Sequence, residues 1–356
     1  MRVAILGAGS VALANAWFLA NAGHDVRIWS AFDAERKTLA EAGAVRAEGS
    51  MEGTANVTVA AEPKSCLKGA ALVMIAAPAF AHQALMAAAA PHLTPEQDVL
   101  VHPVTGLSSL LLSRMLKERG VKPTIIDVST SLFTTRRTGA TSVRILKLKN
   151  SVDVATLPTD RVGDAVARLE PIFGKRFRSE ANVLAISLNN HNPVYHVAPI
   201  LCNLSRAEKK ESWIFWDFIT PGIARLVKLV DEERLAVVRH FGMPKVTVDD
   251  YFREAHGAEG GNLYEIFRFM TEALKGPLGP QEFNHRFIIE DVPYALVFYR
   301  SLGRVAGVDM PVTDSLITLA SALYERDFTR EGHTVEKLGL QGLSSHAILE
   351  LTMTGF

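Results

Sequence analysis

Residues 5–12 read ILGAGSVA. The stretch fits G-x-G-x-x-G/A through Gly7, Gly9 and Ala12; it follows the apolar run RVAIL and opens a helix-forming one, VALANAWFLANA, residues 11–22. In a strand–turn–helix each small residue has a distinct part. Gly7 permits the tight turn, Gly9 lets the backbone approach a pyrophosphate, and Ala12 keeps helix and strand close. The helix amino end at Ser10 offers free N–H groups to phosphate. The stretch therefore predicts a dinucleotide site at the head of an α/β domain.

The next strand, HDVRIWS at residues 24–30, bears on which dinucleotide, because an acidic residue at its end binds a ribose 2′-hydroxyl. Ser30 stands there instead. A serine can bond a phosphate, and Arg27, Arg36 and Lys37 lie near enough in sequence to supply positive charge, which favours NADP(H). Asp33 keeps NAD(H) open, since a small register change could bring it to the ribose. Arg36 and Lys37 singly also fit a solvated helix face.

Farther out, β-branched runs alternate with alanine-rich helical stretches. DAERKTLAEAG (33–43) predicts a helix, NVTVAA (56–61) a short strand and AALVMIAAP (70–78) a buried strand, followed by a helix through AFAHQALMAAAAPHL (79–93). DVLVHPV and PTIIDVS continue as strands, residues 143–156 read as one less regular β segment, and DRVGDAVARLEPIF as a helix. The alternation predicts a Rossmann-type parallel sheet wrapped by helices. It ends near ANVLAIS. Beyond that point the periodicity is helical in RLVKLVDEERLAVVRHF, TVDDYFREAH, LYEIFRFMTEAL, EDVPYALVFYRSLGRVAG and PVTDSLITLASALY, while KGPLGPQEFNHRF (275–287), with two prolines and two glycines, reads as a loop. Two domains are expected, α/β over residues 1–186 and all-α over 187–356.

Composition narrows the chemistry. Lys plus Arg and Asp plus Glu number 38 each, so net charge is zero and nothing points to nucleic acid. Cys66 and Cys202 lie far apart without a metal or disulfide framework, which fits a reducing compartment. The N-terminus reads as a strand and not as a leader, and the apolar run AALVMIAAPAFA falls short of a membrane span. A cytoplasmic protein with no membrane partner and no metal is expected.

In the second half, NNHNPVYHV (189–197) concentrates polar residues in an apolar setting. His191 and His196 are five apart, which does not put them on one helical face, so a paired metal site is disfavoured. Asn192-Pro193 starts a helix and places His196 in its first turn. The ordinary role of a lone helical histidine is a core residue. Against that stands RFIIEDVPYALV (286–297), with Arg286, Glu290 and Asp291 beside a Val-Pro helix start. A carboxylate there can cap the helix, or it can orient a histidine and hold it protonated near neutral pH.

These segments together, ILGAGSVALA, APAFAH (77–82), NPVYHVAP, RFIIEDVPYALV, AGVDMP and EKLGLQGLS, resemble the octopine/nopaline (opine) dehydrogenase family over the full length. The resemblance implies a Rossmann domain joined to a helical domain. It implies reductive condensation of a 2-oxo acid such as pyruvate with the amino group of an amino acid, through an imine that accepts hydride from NAD(P)H. It also implies His196 and Asp291 as the catalytic pair, Arg286 on a substrate carboxylate, and Pro78 and Phe80 lining the nucleotide site with Gly7, Gly9, Ser10, Ala12, Ser30 and Arg36. Val197 follows the histidine where family members often have proline. Trp213 and Trp216, in KKESWIFWDFITPGIARL, fit either amine selection or helix packing. The partners implied are small molecules, and a homodimer is allowed.

Two other functions remain open at this stage. The same two-domain plan serves hydroxy acid, ketopantoate and glycerol-3-phosphate dehydrogenases, which generally rely on a helical-domain lysine near an asparagine; Lys209 and Lys210 fall too far along to serve. A non-catalytic NAD(P)-sensing protein would tolerate a broken histidine–aspartate pair.

Overall fold

The computed structural model describes residues 1–274 and 277–356, so Lys275 and Gly276 of the expected KGPLGPQEFNHRF loop lie outside the described residues. The chain divides into two compact units, Met1–Ser187 with Ile348–Phe356, and Leu188–Ala347.

The first unit holds twelve strands: β1 Arg2–Leu6, β2 Asp25–Trp29, β3 Ala44–Gly49, β4 Gly53–Asn56, β5 Thr58–Val59, β6 Leu72–Ile75, β7 Asp98–Val101, β8 Thr124–Val128, β9 Phe133–Arg137, β10 Ser142–Leu148, β11 Val152–Leu157 and β12 Phe177–Ser179. Eight form one sheet in the order β12-β11-β8-β7-β6-β1-β2-β5. It is parallel except across the antiparallel β11–β8 pair. Val3–Leu6, Leu72–Ile75 and Thr124–Val128 are buried throughout, as strands covered on both faces must be; the first two read as unbroken apolar runs, while the third buries Thr124 and Asp127 among aliphatic residues. The strand order reverses between β1 and β6, and in such sheets ligands bind outside the carboxyl ends at that reversal.

A second, four-stranded sheet, β4-β3-β10-β9, departs from the expected plan. Residues 143–156, read from sequence as one β segment, divide between β10 in the small sheet and β11 in the large one. The polar turn Lys149–Ser151 separates them, with Lys149 Nζ donating to Thr130 Oγ1 at 2.7 Å. The helix Ser10–Asn21 packs against β2 and also against β3, β4, β9 and β10. It is buried on several sides, with Ala12, Leu13, Ala14, Ala16 and Leu19 inaccessible and Phe18 stacked 5.9 Å from Phe173, which explains a composition with no polar face. Ile348–Phe356 return to this unit, where Phe356 N donates to Ser113 Oγ at 2.8 Å; sequence alone groups them with the helical half.

The second unit is helical. Its long central helix, Pro221–His240, buries Asp231 and Arg234 among Ala224, Val227, Val230, Leu235, Val237 and Val238. The helices Asn192–Cys202, Val297–Ala306 and Pro311–Tyr324 pack against it or against one another. Among the described residues no helix is long and apolar enough to cross a membrane.

Candidate active site

In the first unit the glycine turn occupies the carboxyl end of β1. Gly7 has φ of +128°, its N donates to Trp29 O at 2.8 Å, and a Cβ there would lie 2.4 Å from Ala76 O. Only glycine fits that position. At Gly9 a Cβ would meet nothing within 4 Å, so the turn is open on the side where a pyrophosphate would lie against the helix that starts at Ser10. The residues present fit a dinucleotide. Ala12 is fully buried under the turn.

Pro78 and Phe80 follow the neighbouring strand β6, at the start of the helix Ala79–Ala89, and Phe80 is half exposed. His82 anchors this turn. Its Nε2 lies 2.9 Å from Ala77 O and its Nδ1 2.9 Å from Ser108 Oγ, and burial pushes its pKa down to about 4, so it is a neutral strut.

At the end of β2 the structure differs from expectation. The Ser30 hydroxyl is engaged: it donates to Glu35 Oε2 at 2.5 Å and accepts from Phe32 N at 3.2 Å. Arg36 turns toward this corner, donating to Ser30 O and to the Asp33 side chain. Arg27 turns elsewhere, to Ser65 O at 3.1 Å. Two residues that sequence did not single out complete the corner, Glu35 and Arg137, with Arg137 Nη1 donating to Glu35 Oε1 at 3.2 Å. A carboxylate six residues past the strand end is a readable signal for Glu35. Nothing local marks Arg137.

In the second unit the polar segment before His196 is a backbone anchor. Arg234, fully buried, donates to Leu188 O and Val246 O, each at 2.7 Å, and its charge is met by Asp231 at 2.7 Å. Tyr299 OH donates to Asn190 O at 2.6 Å. His191 Nε2 lies 3.0 Å from Val246 O and its ring stacks on Tyr251 at 4.8 Å. Burial, with Arg234 nearby, lowers its pKa to about 3. The cluster of asparagines and histidine thus fixes the entry to the helix Asn192–Cys202, whose first turn takes Pro193 without losing a hydrogen bond. Because the helix begins at Asn192, His196 sits one turn in rather than in the first turn.

His196 Nδ1 lies 2.8 Å from Asp291 Oδ2, and both residues are buried. Asp291 occupies the junction between the short helix Arg286–Ile289 and a widened π-type turn, Val292–Leu296. Pro293, having no N–H, suits that break in the regular ladder. Phe287 stacks on the imidazole with centroids 3.6 Å apart, and Tyr195 meets it edge-on at 4.5 Å. Arg286 is exposed, yet its charge acts on His196, Asp291 and Tyr195 alike.

The electrostatics reverse one expectation. Burial first, and then the Arg286 charge, hold the His196 pKa well below the ordinary histidine value; Asp291 is pushed up to about 7 by burial, with Arg286 working against the rise. Burial therefore favours the neutral imidazole, which Asp291 orients through Nδ1. Trp213 and Trp216 are not on one helix. Trp213 Nε1 donates to Pro280 O at 3.0 Å, while Trp216 begins a single 3₁₀ turn, Trp216–Phe218, packed 5.7 Å from Tyr195.

Residues 179–324 match the family described as NAD/NADP octopine/nopaline dehydrogenase, alpha-helical domain, and residues 2–128 match NAD-dependent glycerol-3-phosphate dehydrogenase N-terminus. The chain is 33% identical to an opine dehydrogenase of Arthrobacter sp. (strain 1C) over 350 residues, 97% of each chain. Among solved structures, octopine dehydrogenase with NADH and L-arginine superposes with a TM-score of 0.82 at 18% identity, covering 98% of both chains. NADP⁺-bound yersinopine dehydrogenase does so at 0.73 and 13% identity, covering 99% of this chain and 97% of its own. A nucleotide turn built on Gly7, a helical unit with a buried histidine–aspartate pair, and a relative of this identity along nearly the whole length lead to one assignment. The chain belongs to the opine dehydrogenase family, NAD(P)-dependent oxidoreductases that act on CH–NH donors.

Proposed function

We propose that the chain condenses a 2-oxo acid such as pyruvate with the amino group of an amino acid, and that His196, Asp291 and Arg286 carry the chemistry. One observation supports this above the rest: a buried imidazole oriented at 2.8 Å by a carboxylate, beside an exposed guanidinium whose charge reaches both. Met1–Ser187 with Ile348–Phe356 serve as the nucleotide domain and Leu188–Ala347 as the substrate domain. Gly7, Gly9, Ser10, Ala12, Ser30, Arg36, Pro78 and Phe80 hold the nucleotide, which supplies hydride to the imine carbon when bound. The proposal includes a cytoplasmic enzyme acting as a homodimer.

The residues have complementary tasks. Arg286, exposed beside the imidazole–carboxylate pair, offers a planar fork to a substrate carboxylate and fixes the carbonyl carbon. His196, resting neutral, accepts a proton at Nε2 from the nitrogen as the amine adds and returns it to the former carbonyl oxygen, giving a carbinolamine; a second transfer by the same route carries the remaining amine proton to the hydroxyl, which leaves as water as the imine forms. Asp291 stabilises the imidazolium during that interval and fixes the tautomer before and after it. The stacked Phe287 and the edge of Tyr195 keep bulk water from the ring faces.

Oxidation of NADPH and of NADH, followed with pyruvate, 2-oxoglutarate and glyoxylate, each with and without a panel of amino acids, tests the proposal. Turnover that needs both an oxo acid and an amine is the expected result. Turnover with an oxo acid alone would move the chemistry to plain carbonyl reduction.

A further inference from the structure

Around Ser30 the chain assembles more charge than a surface turn needs. Three polar side chains from separate places meet there. The Ser30 hydroxyl, at the carboxyl end of β2, and the Arg137 guanidinium, at the end of β9 in the four-stranded sheet, both donate to the carboxylate of Glu35, at 2.5 and 3.2 Å. Arg137 is not a loose surface side chain. Its Nε donates to Gly139 O at 3.0 Å and its Nη2 to Ala140 O at 3.1 Å, so its own hairpin aims the remaining N–H groups at this corner. Arg36 brings a second guanidinium through its bond to Ser30 O.

This corner is where an α/β dinucleotide fold reads the 2′ position of the adenosine ribose. A hydroxyl and a preorganised guanidinium converging on one anionic group are also the donors that a 2′-phosphate would require. Glu35 takes both. A bare 2′-hydroxyl poses the opposite demand, an acceptor, and the Glu35 carboxylate is one.

We propose that Arg137 is a specificity-determining residue for the nucleotide, and that Glu35 is an internal competitor for the place of the 2′-phosphate: it stays to accept the ribose hydroxyl of NAD(H) and yields Ser30 and Arg137 to the phosphate of NADP(H). The inference rests on the nucleotide site at Gly7–Ala12 and adds to it a residue from the second sheet. It also gives that sheet a part in the function, since Arg137 reaches the corner from β9.

Direct titration tests it, with the change in fluorescence of the reduced nicotinamide on binding as readout and without any substrate. Parent, Arg137→Ala, Arg137→Lys and Glu35→Gln chains are titrated with NADPH and NADH, and bound nucleotide is competed with 2′,5′-ADP and 5′-AMP. Arg137→Ala is expected to weaken NADPH and 2′,5′-ADP about tenfold or more while NADH and 5′-AMP stay within about twofold, the loss of one charge-assisted contact. Arg137→Lys is expected to fall between, and Glu35→Gln to tighten NADPH and 2′,5′-ADP while weakening NADH. Equal effects of Arg137→Ala on both nucleotides, no effect on either, or NADPH affinity unmoved in Glu35→Gln would overturn the proposal. A parent chain that binds neither nucleotide would instead remove the nucleotide site on which it rests.

Discussion

Replacing His196 with alanine removes the ring that bonds Asp291 at 2.8 Å and stacks on Phe287 at 3.6 Å, so it acts on two quantities that have to be separated. The chemical loss is that of a positioned acid–base group, about 100- to 10,000-fold in turnover, or roughly 2.7–5.5 kcal/mol of barrier. The packing loss is a cavity beside Tyr195, Phe215 and Phe287, together with an Asp291 carboxyl left without its imidazole; such truncations cost on the order of 2–4 kcal/mol of folding stability. Nucleotide binding through the Gly7–Ala12 turn lies outside both effects. The assay is therefore a set: thermal melting to confirm a folded chain at the working temperature, nucleotide titration to show unchanged affinity, and then turnover with saturating substrates. Imidazole added to the medium is expected to restore part of the turnover, since the space left is shaped to the ring. A folded variant turning over within about tenfold of the parent would refute the assignment, because no acid–base role of the usual size fits so small a loss.

Arg286→Ala is expected to raise the Michaelis constant for an anionic substrate by about tenfold or more with little change in melting temperature, since the side chain is exposed and a charge-assisted contact is what is lost; unchanged constants for both substrates would exclude it. Gly7→Ala is expected to abolish nucleotide binding and to destabilise the first unit by about 2 kcal/mol or more, because its Cβ would fall 2.4 Å from Ala76 O at a φ of +128°; melting and titration read both effects. Asp127, fully buried on β8 with Ser109 Oγ donating at 2.7 Å, has its pKa pushed by burial up to about 7. With the folded value above the unfolded one, its contribution is fully present below about pH 4 and is lost as pH rises toward 7, by up to a few kcal/mol. Asp127→Asn is expected to flatten that part of the stability profile, and an identical slope in parent and variant would count against it.

What was legible in the sequence was local. Strand, turn and helix at residues 2–21 announce themselves because Gly7, Gly9 and Ala12 act within one short stretch, and the parallel strands are recognisable because burial on both faces removes polar residues from them. The four-stranded sheet was not legible. β3 and β10 pair in parallel across nearly a hundred residues, and nothing local in either strand names the other as its neighbour. The same distance in sequence hid Arg137, since an ion pair between residues 102 apart leaves no spacing to read. His196 and Asp291, 95 apart, could be paired only through the resemblance of their flanking motifs to a family. Sequence reveals a carboxylate partner for His196 but not the depth of burial, which works against the charged imidazole.

The return of Ile348–Phe356 to the first unit has a bearing on synthesis. The first unit lacks part of its own surface until the 160 residues Leu188–Ala347 have been added. At about 5–20 residues per second that delay is roughly 10–30 s, long compared with the folding of a single domain. During it the helix Ser108–Lys117 is without the segment that bonds Ser113 and covers Lys117. That face of the first unit is thus covered last, and the order in which the ribosome releases the chain becomes part of how the unit is completed.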